Sequence, residues 1–392
     1  QALIVMELDN YKTVLDGIGL GNTDLLLGDM ANLMKRHLKE TDIAGRLGEH
    51  TFGIIVCERN AEAVAQLTEA LRKAFEERIF EVGKNSINLT ISVAGSLIVE
   101  SASNGNAVLD RASLTLRTIQ AEGGNRARVF DPAAKDKEDA EKNRHWLKLI
   151  KDALSNDGYI LFYQPVISLQ GAEGEFYEVL LRMKGPKGEI LPAFFMPIAE
   201  QHGLLPQLDR WVIGTAIKAI AEREQGGRKT SFFIKLSPQS LEDPGLLPWI
   251  ALQLKNARQR GDALIFEMPE SKVVTNLKPA RAFVRGLEQL HCGFALEQFG
   301  SGLNSFQLLK HIPAHYLKID RSYMADLPKN KENQERIKSM CDQAHNAGKL
   351  TVAEFVEDAA SMAILFSCGM NFVQGNFLQE PEQVMTYDFG GS

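Results

Sequence analysis

Glu178-Val179-Leu180-Leu181-Arg182, Phe266-Glu267-Met268-Pro269-Glu270, Leu317-Lys318-Ile319-Asp320 and Ala353-Glu354-Phe355-Val356-Glu357 share one pattern, an apolar run that closes on charged residues. Phe233-Ile234-Lys235-Leu236-Ser237 and Ala295-Leu296-Glu297-Gln298-Phe299-Gly300 repeat it. Short apolar runs of this kind, separated by helical stretches, read as strands covered on both faces. Working outward from them, strands are expected near 160–167, 175–183, 231–236, 263–267, 293–297, 315–319, 349–353 and 371–374. Strand followed by helix, eight times over, predicts a (β/α)8-like barrel, in which functional side chains gather at the carboxyl ends of the strands. Every charged residue quoted above falls at such an end.

The rest of the chain is organised around this barrel. Residues 1–131 alternate strands and helices: a strand at Ala2–Leu8, a helix near Leu25–Lys39, a hairpin around Thr41–Cys57, a helix near Ala61–Glu77, a strand at Ile87–Val99 and a helix at Ala107–Ala121. That order predicts an α/β sandwich. Residues 132–155 follow as a helical linker rich in Lys, Asp and Glu. Trp146, Leu147, Ile150 and Leu154 at helical spacing give it one apolar face, and 156–392 form the barrel.

The 392 residues exceed one ordinary core, and their 44% hydrophobic and 24% charged content is that of a globular chain. A net charge of −6 argues against a nucleic-acid surface, which needs a basic face. Cys57, Cys292, Cys341 and Cys368 are dispersed without CxxC spacing, so neither a disulfide framework nor a zinc site is expected. No apolar run approaches the roughly 18 residues of a membrane span, and no signal peptide is evident. A cytoplasmic location without membrane insertion is expected. The start at Gln1, without an initiator Met, suggests a piece of a longer protein.

From about Tyr159 to Tyr387 the chain resembles the EAL family of cyclic di-GMP phosphodiesterases. Tyr163-Gln164-Pro165-Val166, Phe195-Met196-Pro197-Ile198-Ala199-Glu200 and Gln374-Gly375 carry the resemblance together with the strand-end motifs. Enzymes of this family use two Mg²⁺ or Mn²⁺ ions, and matching motifs puts the ligand positions at Glu178, an Asn, Glu267 and an Asp-Asp pair. Here the Asn is Lys235 and the pair is Glu297-Gln298. An ammonium has three donors and no lone pair, so it cannot ligate a cation. Lys235 is expected instead to supply positive charge among Glu178, Glu267 and Glu354, so no metal and no cofactor is expected.

The ligand-holding positions are better kept. The resemblance implies cyclic di-GMP contacts from Gln164, Val179, Leu180, Arg182, Pro197, Asp209, Gly302, Gln374, Gly375, Phe377 and Pro381, with Glu178, Lys235, Glu267 and Glu354 around them. Arg182 can fork onto a phosphate with two charge-assisted bonds. Phe355 stands where the family carries Gly, and a ring there is expected to stack on a base. Lys318 and Asp320 orient water in active relatives and here either bind or brace; Asp320 and Glu357 read equally as structural pairs. His311 and His315 straddle a proline and are not read as a metal pair.

Residues 1–130 resemble the GGDEF diguanylate cyclase domain less closely. Glu7-Leu8-Asp9-Asn10-Tyr11-Lys12 parallels its DxDxFK segment, and Gly48-Glu49-His50-Thr51-Phe52 stands for GGDEF. The second Gly and both acids are gone, Leu15 and Leu20 replace nucleotide-facing Asn and His, and Lys39-Glu40-Thr41-Asp42 lacks the inhibitory Arg. Neither cyclase activity nor product feedback is expected. A fold kept for packing or partner contacts is preferred over GTP binding without turnover.

The whole pattern most resembles the FimX group of doubly degenerate GGDEF–EAL proteins. That resemblance implies a catalytically inactive cyclic di-GMP receptor in type IV pilus biogenesis and twitching motility, with the cell pole as an expected location. The partners it implies are a PilZ-type protein or a pilus assembly component, and a second copy of the chain in a homodimer. The alternatives are a weak metal-dependent phosphodiesterase and a scaffold that binds no nucleotide.

Overall fold

The computed structural model describes residues 1–99 and 104–390, and the chain divides into two compact units, Gln1–Lys142 and Asn143–Ser392. In the first unit the strands are β1 (Ala2–Leu8), β2 (Ile43–Arg46), β3 (Thr51–Val56), β4 (Ile79–Val82), β5 (Asn85–Asn88), β6 (Ile91–Leu97) and β7 (Ala127–Phe130). Five of them form one sheet in the order β2-β3-β1-β6-β7, antiparallel except for β6 and β7. Alternation along β1 sends Ala2, Ile4, Met6 and Leu8 to one face, against Leu26 and Met30 of the helix Thr23–Lys35 and Leu71 and Phe75 of Ala61–Glu76. Val5 faces the other way, against Ala112, Leu116 and Ile119 of Gly105–Ala121.

Three elements of this unit depart from the expectation. The strand expected over Ile87–Val99 is β6 alone, because β4 and β5 form a separate hairpin turned at Gly83, whose φ is +64°. A short helix, Tyr11–Ile18, went unread because Val14 and Ile18 are its only buried residues, too few for a helical period to show. β7, four residues that follow Arg126 and include Arg128, gave no strand signal either.

Residues 132–155 form one helix, Pro132–Ser155, entered through Asp131, whose Oδ1 accepts from Ala133 N at 2.9 Å. Its residues 133–142 are exposed on every side, with ion pairs such as Lys135 to Asp139 at 3.1 Å along the surface. From Trp146 onward one face is buried: Ile150 and Ala153 pack with Tyr159, Phe195 and Leu208 of the second unit.

In the second unit the strands are β8 (Tyr159–Pro165), β9 (Ile167–Ser168), β10 (Glu175–Gly185), β11 (Gly188–Ile190), β12 (Thr230–Lys235), β13 (Leu264–Pro269), β14 (Gly293–Phe299), β15 (Tyr316–Ile319), β16 (Leu350–Ala353) and β17 (Phe372–Val373). From β10 through β12 to β17 the pairing is parallel in chain order. β8 is antiparallel to β10, and past Val166 the chain continues as β9, antiparallel to β17. The barrel-like sheet is therefore nearly closed by one strand running against the other seven. The sequence expectation of eight like units is corrected here: the few residues between Ser168 and Glu175 leave no room for the crossover helix that a parallel pair requires.

Period-two alternation then sets the site. Phe176, Phe233, Ile265, Ala295, Tyr316 and Val352 point into the barrel and pack together as an apolar layer. Two residues further along each strand stand Glu178, Lys235, Glu267, Glu297, Lys318 and Glu354. The intervening Ile234, Phe266, Leu296 and Leu317 face outward to the helices.

Candidate functional site

Six strands thus deliver four carboxylates and two ammonium groups onto one apolar floor. Lys318, fully buried, lies 3.2 Å from Glu178 Oε2, 2.7 Å from Glu267 Oε2 and 3.0 Å from Glu354 Oε1. Its ammonium also sits 5.2 Å from the centre of the Phe233 ring below. Lys235, half exposed, places its ammonium 3.0 Å from Glu178 Oε1 and 3.3 Å from Glu267 Oε1, and it also bonds Glu297. Glu178 and Glu267 are shared by both lysines, so ammonium and carboxyl groups alternate through the cluster.

Protonation follows this arrangement. Burial would raise the Glu178 pKa, but Lys235, Lys318 and a hydrogen bond from Gln374 outweigh it and hold the carboxyl far below its usual range. Glu267 goes the other way: burial, with Glu178 and Glu297 nearby, outweighs the two lysines and pushes it up to about 8. Burial likewise raises Glu354. Burial opposes the charge of both lysines, yet the surrounding carboxylates keep them protonated well above the ordinary lysine range.

Oxygens of Glu178, Glu267 and Glu297 converge within 4.8 Å of one another, a spacing able to hold a cation. The cation at that convergence is the Lys235 ammonium. It offers no lone pair, and its raised pKa resists the deprotonation that would create one. The residues present do not fit a divalent ion there.

Above the cluster opens a cavity of about 460 Å³, lined among others by Gln164, Leu180, Lys235, Glu354, Phe355, Gln374 and Gly375. Gln374 donates to Gln164 Oε1 at 2.9 Å and to Glu178, while Gln164 donates to Asn376 Oδ1 at 3.1 Å and Gln379 O at 3.2 Å. Gly375 has a packing reason to be glycine, since a Cβ there would lie 2.2 Å from Val356 O. Phe355 is half exposed with φ of +58°, the left-handed backbone in which glycine is at ease and an aromatic residue is strained. A glycine would suit this backbone, and the strained Phe355 places its ring at the cavity wall.

Other expected contacts lie elsewhere. Val179 is buried in the core outside the barrel, as its place between Glu178 and Leu180 dictates. Arg182 shares the Glu178 face but sits further along β10, with its guanidinium 3.7 Å from the Phe162 ring centre. Pro197 is inside the helix Pro192–Gln201. Asp209 is buried, and its Oδ2 accepts from Ser237 N at 2.9 Å and from the hydroxyls of Ser237 and Ser240 at 2.6 Å each. That oxygen braces the turn after β12. Gly302 lies against Glu270, whose Oε2 accepts from Gly300 N at 3.1 Å. Phe377 is half exposed, and Pro381 follows it on the same segment; neither lines the cavity. Sequence reasoning missed Arg321 and Asn376 as lining residues; Arg321, next to Asp320 of the strand-end motif, could have been found from that adjacency.

In the first unit His50 of the turn between β2 and β3 packs against residues outside the hairpin. His50 stacks on Tyr11 with ring centres 4.0 Å apart, and its Nε2 meets Glu7 Oε1 at 3.1 Å. Thr51 and Gln120 also donate to Glu7, at 3.0 and 3.1 Å. Leu15 is half-buried on the helix Tyr11–Ile18, whereas the side chain of Leu20 is outside the described residues. Asp42 is occupied by Arg59 at 2.7 Å.

Comparison with known proteins agrees with this architecture. The EAL domain model matches residues 148–381, and the diguanylate cyclase GGDEF domain model matches 1–126. The FimX EAL domain of Pseudomonas aeruginosa, solved bound to c-di-GMP, is 42% identical with a TM-score of 0.60, covering 62% of this chain and 99% of that one. The Xanthomonas citri FimX EAL domain, solved in complex with c-diGMP, is 40% identical with a TM-score of 0.63, covering 65% and 100%. Cyclic di-GMP phosphodiesterase PdeB of Shewanella oneidensis is 28% identical over 388 residues, 98% of this chain and 45% of that protein. The chain spans about half the length of the curated relatives it matches. With both domain models in order and the FimX likeness running through the whole barrel, the chain belongs to the EAL domain family, as a GGDEF–EAL protein with a FimX-like EAL domain.

Proposed function

We propose that the EAL unit binds cyclic di-GMP without metal, leaves it intact, and passes the binding event to a partner protein. The observation that carries this reading is the Lys235 ammonium at the convergence of Glu178, Glu267 and Glu297. In a two-metal hydrolase, ions at such a place make the nucleophile and neutralise the phosphate. A fixed lysine balances the carboxylates and supplies no metal-bound water. Identity above 40% with a FimX EAL domain solved with c-di-GMP supports the ligand. Arg182, Phe355 and the Gln164–Gln374 pair are the residues proposed to hold it.

By the same likeness, the downstream role is signalling in type IV pilus biogenesis and twitching motility. A PilZ-type or pilus assembly partner, a cytoplasmic and polar location and a homodimer belong to that proposal. A second reading, weak phosphodiesterase activity, is favoured by Glu178, Glu267, Lys318 and Glu354 and by relatives named as phosphodiesterases. Calorimetric titration of cyclic di-GMP in EDTA and then in Mg²⁺, with the nucleotide recovered afterwards, decides between them. Equal affinity and intact ligand are expected; Mg²⁺-dependent cleavage would reverse the conclusion.

A further inference from the structure

A cyclic dinucleotide carries two phosphate charges, and a site without metals must meet them with its own cations. The cavity is poor in these. Its lining contributes the carboxylates Glu178, Glu297, Asp320, Glu354 and Glu357 against only two cations, Lys235 and Arg321. Lys235 is held by three carboxylates, and Lys318, beneath the lining, by three more contacts of the same kind. Arg321 is different. Among the described residues its guanidinium has no carboxylate partner; its recorded contact is with the Phe355 ring, 4.9 Å from guanidinium carbon to ring centre.

From this we infer that Arg321 takes one phosphate of the bound dinucleotide, in addition to the contact proposed for Arg182, with Phe355 holding its guanidinium at the cavity wall. The inference rests on the proposed binding of cyclic di-GMP. A guanidinium over an aromatic face keeps its N–H groups free for acceptors at its rim, and the planar fork suits two phosphate oxygens. Position supports the same assignment. Arg321 opens the short 3₁₀ turn Arg321–Met324 directly after β15, so its backbone is fixed by the barrel while its side chain is exposed at the mouth. Phe355 sits on the neighbouring strand end, after β16. Two adjacent strand ends thereby bring a free positive charge to the one stretch of wall that also carries an exposed ring. Charge-assisted bonds from such a residue are salt-sensitive because it is solvated.

Isothermal titration of cyclic di-GMP into the full chain, in EDTA at several NaCl concentrations, tests this with Arg321→Ala, Arg321→Lys and the unmutated protein. Loss of a charge-assisted phosphate contact predicts affinity weakened about ten- to a hundredfold in Arg321→Ala, with a flatter dependence on salt. Arg321→Lys is expected to recover part of the affinity and the salt dependence. Circular dichroism melts should be unchanged, since the side chain is exposed. Affinity within twofold of the unmutated chain in Arg321→Ala, or weakened affinity with an unaltered salt dependence, would overturn the assignment while leaving the receptor reading intact. Failure of the unmutated chain to bind would overturn both.

Discussion

Lys235 and Lys318 grip the same carboxylate from opposite oxygens: 3.0 Å from Lys235 Nζ to Glu178 Oε1 and 3.2 Å from Lys318 Nζ to Glu178 Oε2. Glu178 therefore behaves as an internal counter-ion between two fixed cations. Its pKa, depressed in spite of burial, expresses that fact.

Removing one of the cations leaves buried negative charge unbalanced. Lys235→Met is expected to lower stability by about 2 kcal/mol, at the low end for a broken buried pair because half the Lys235 side chain is exposed. Chemical denaturation measures this. Added Mn²⁺ should then raise the denaturation midpoint of the variant and leave that of the unmutated chain unchanged.

Restoring ligands goes further than removing the lysine. The combination Lys235→Asn, Glu297→Asp and Gln298→Asp should yield cyclic di-GMP hydrolysis that requires Mg²⁺ or Mn²⁺, read as product on chromatography. Continued inactivity with intact binding would place the block outside these three positions.

The raised pKa of Glu267 makes stability depend on pH. An unfolded Glu releases its proton near 4.5, whereas folded Glu267 keeps it up to about 8. Between those values the folded state binds more protons, so stability contributed by this group falls as pH rises. Denaturation midpoints measured from pH 5 to 9 should decline through this window, and the decline should be shallower in Glu267→Gln.

Asp209 should prove a brace. Asp209→Ala strips the acceptor from Ser237 N and from the Ser237 and Ser240 hydroxyls, at a cost of about 2 kcal/mol in stability. Cyclic di-GMP affinity, measured at a temperature where the variant is folded, should change less than it does in Arg182→Ala.

These outcomes track what the chain disclosed and what it withheld. Lys235 and Glu297-Gln298 were legible because each departs from a motif at a strand end, where residue type alone fixes the chemistry. Asp209 matched a pattern equally well, yet its carboxylate is spent on two serines in a different element, a pairing that needs the fold. The proximity of Arg321 to Phe355 is of the same sort, made by neighbouring strand ends and invisible along the sequence. Barrel strands were found from their apolar runs, whereas the reversed direction of β8 lay in the length of one loop. The missed helix Tyr11–Ile18 and strand β7 were simply too short to show a period.

That reversed strand has a mechanical consequence. β8 is joined to β10 over seven paired residues, Tyr159 to Pro165, but its continuation β9 meets β17 over only two, Ile167 with Val373 and Ser168 with Phe372. The barrel has a seam, and local opening should begin there. Gln164 stands on one side of it and Gln374 on the other, joined by their side chains at 2.9 Å within the cavity wall. A molecule seated against both glutamines would act as a clasp across the seam, slowing amide exchange in Ile167 and Val373 before any distant part of the barrel responds.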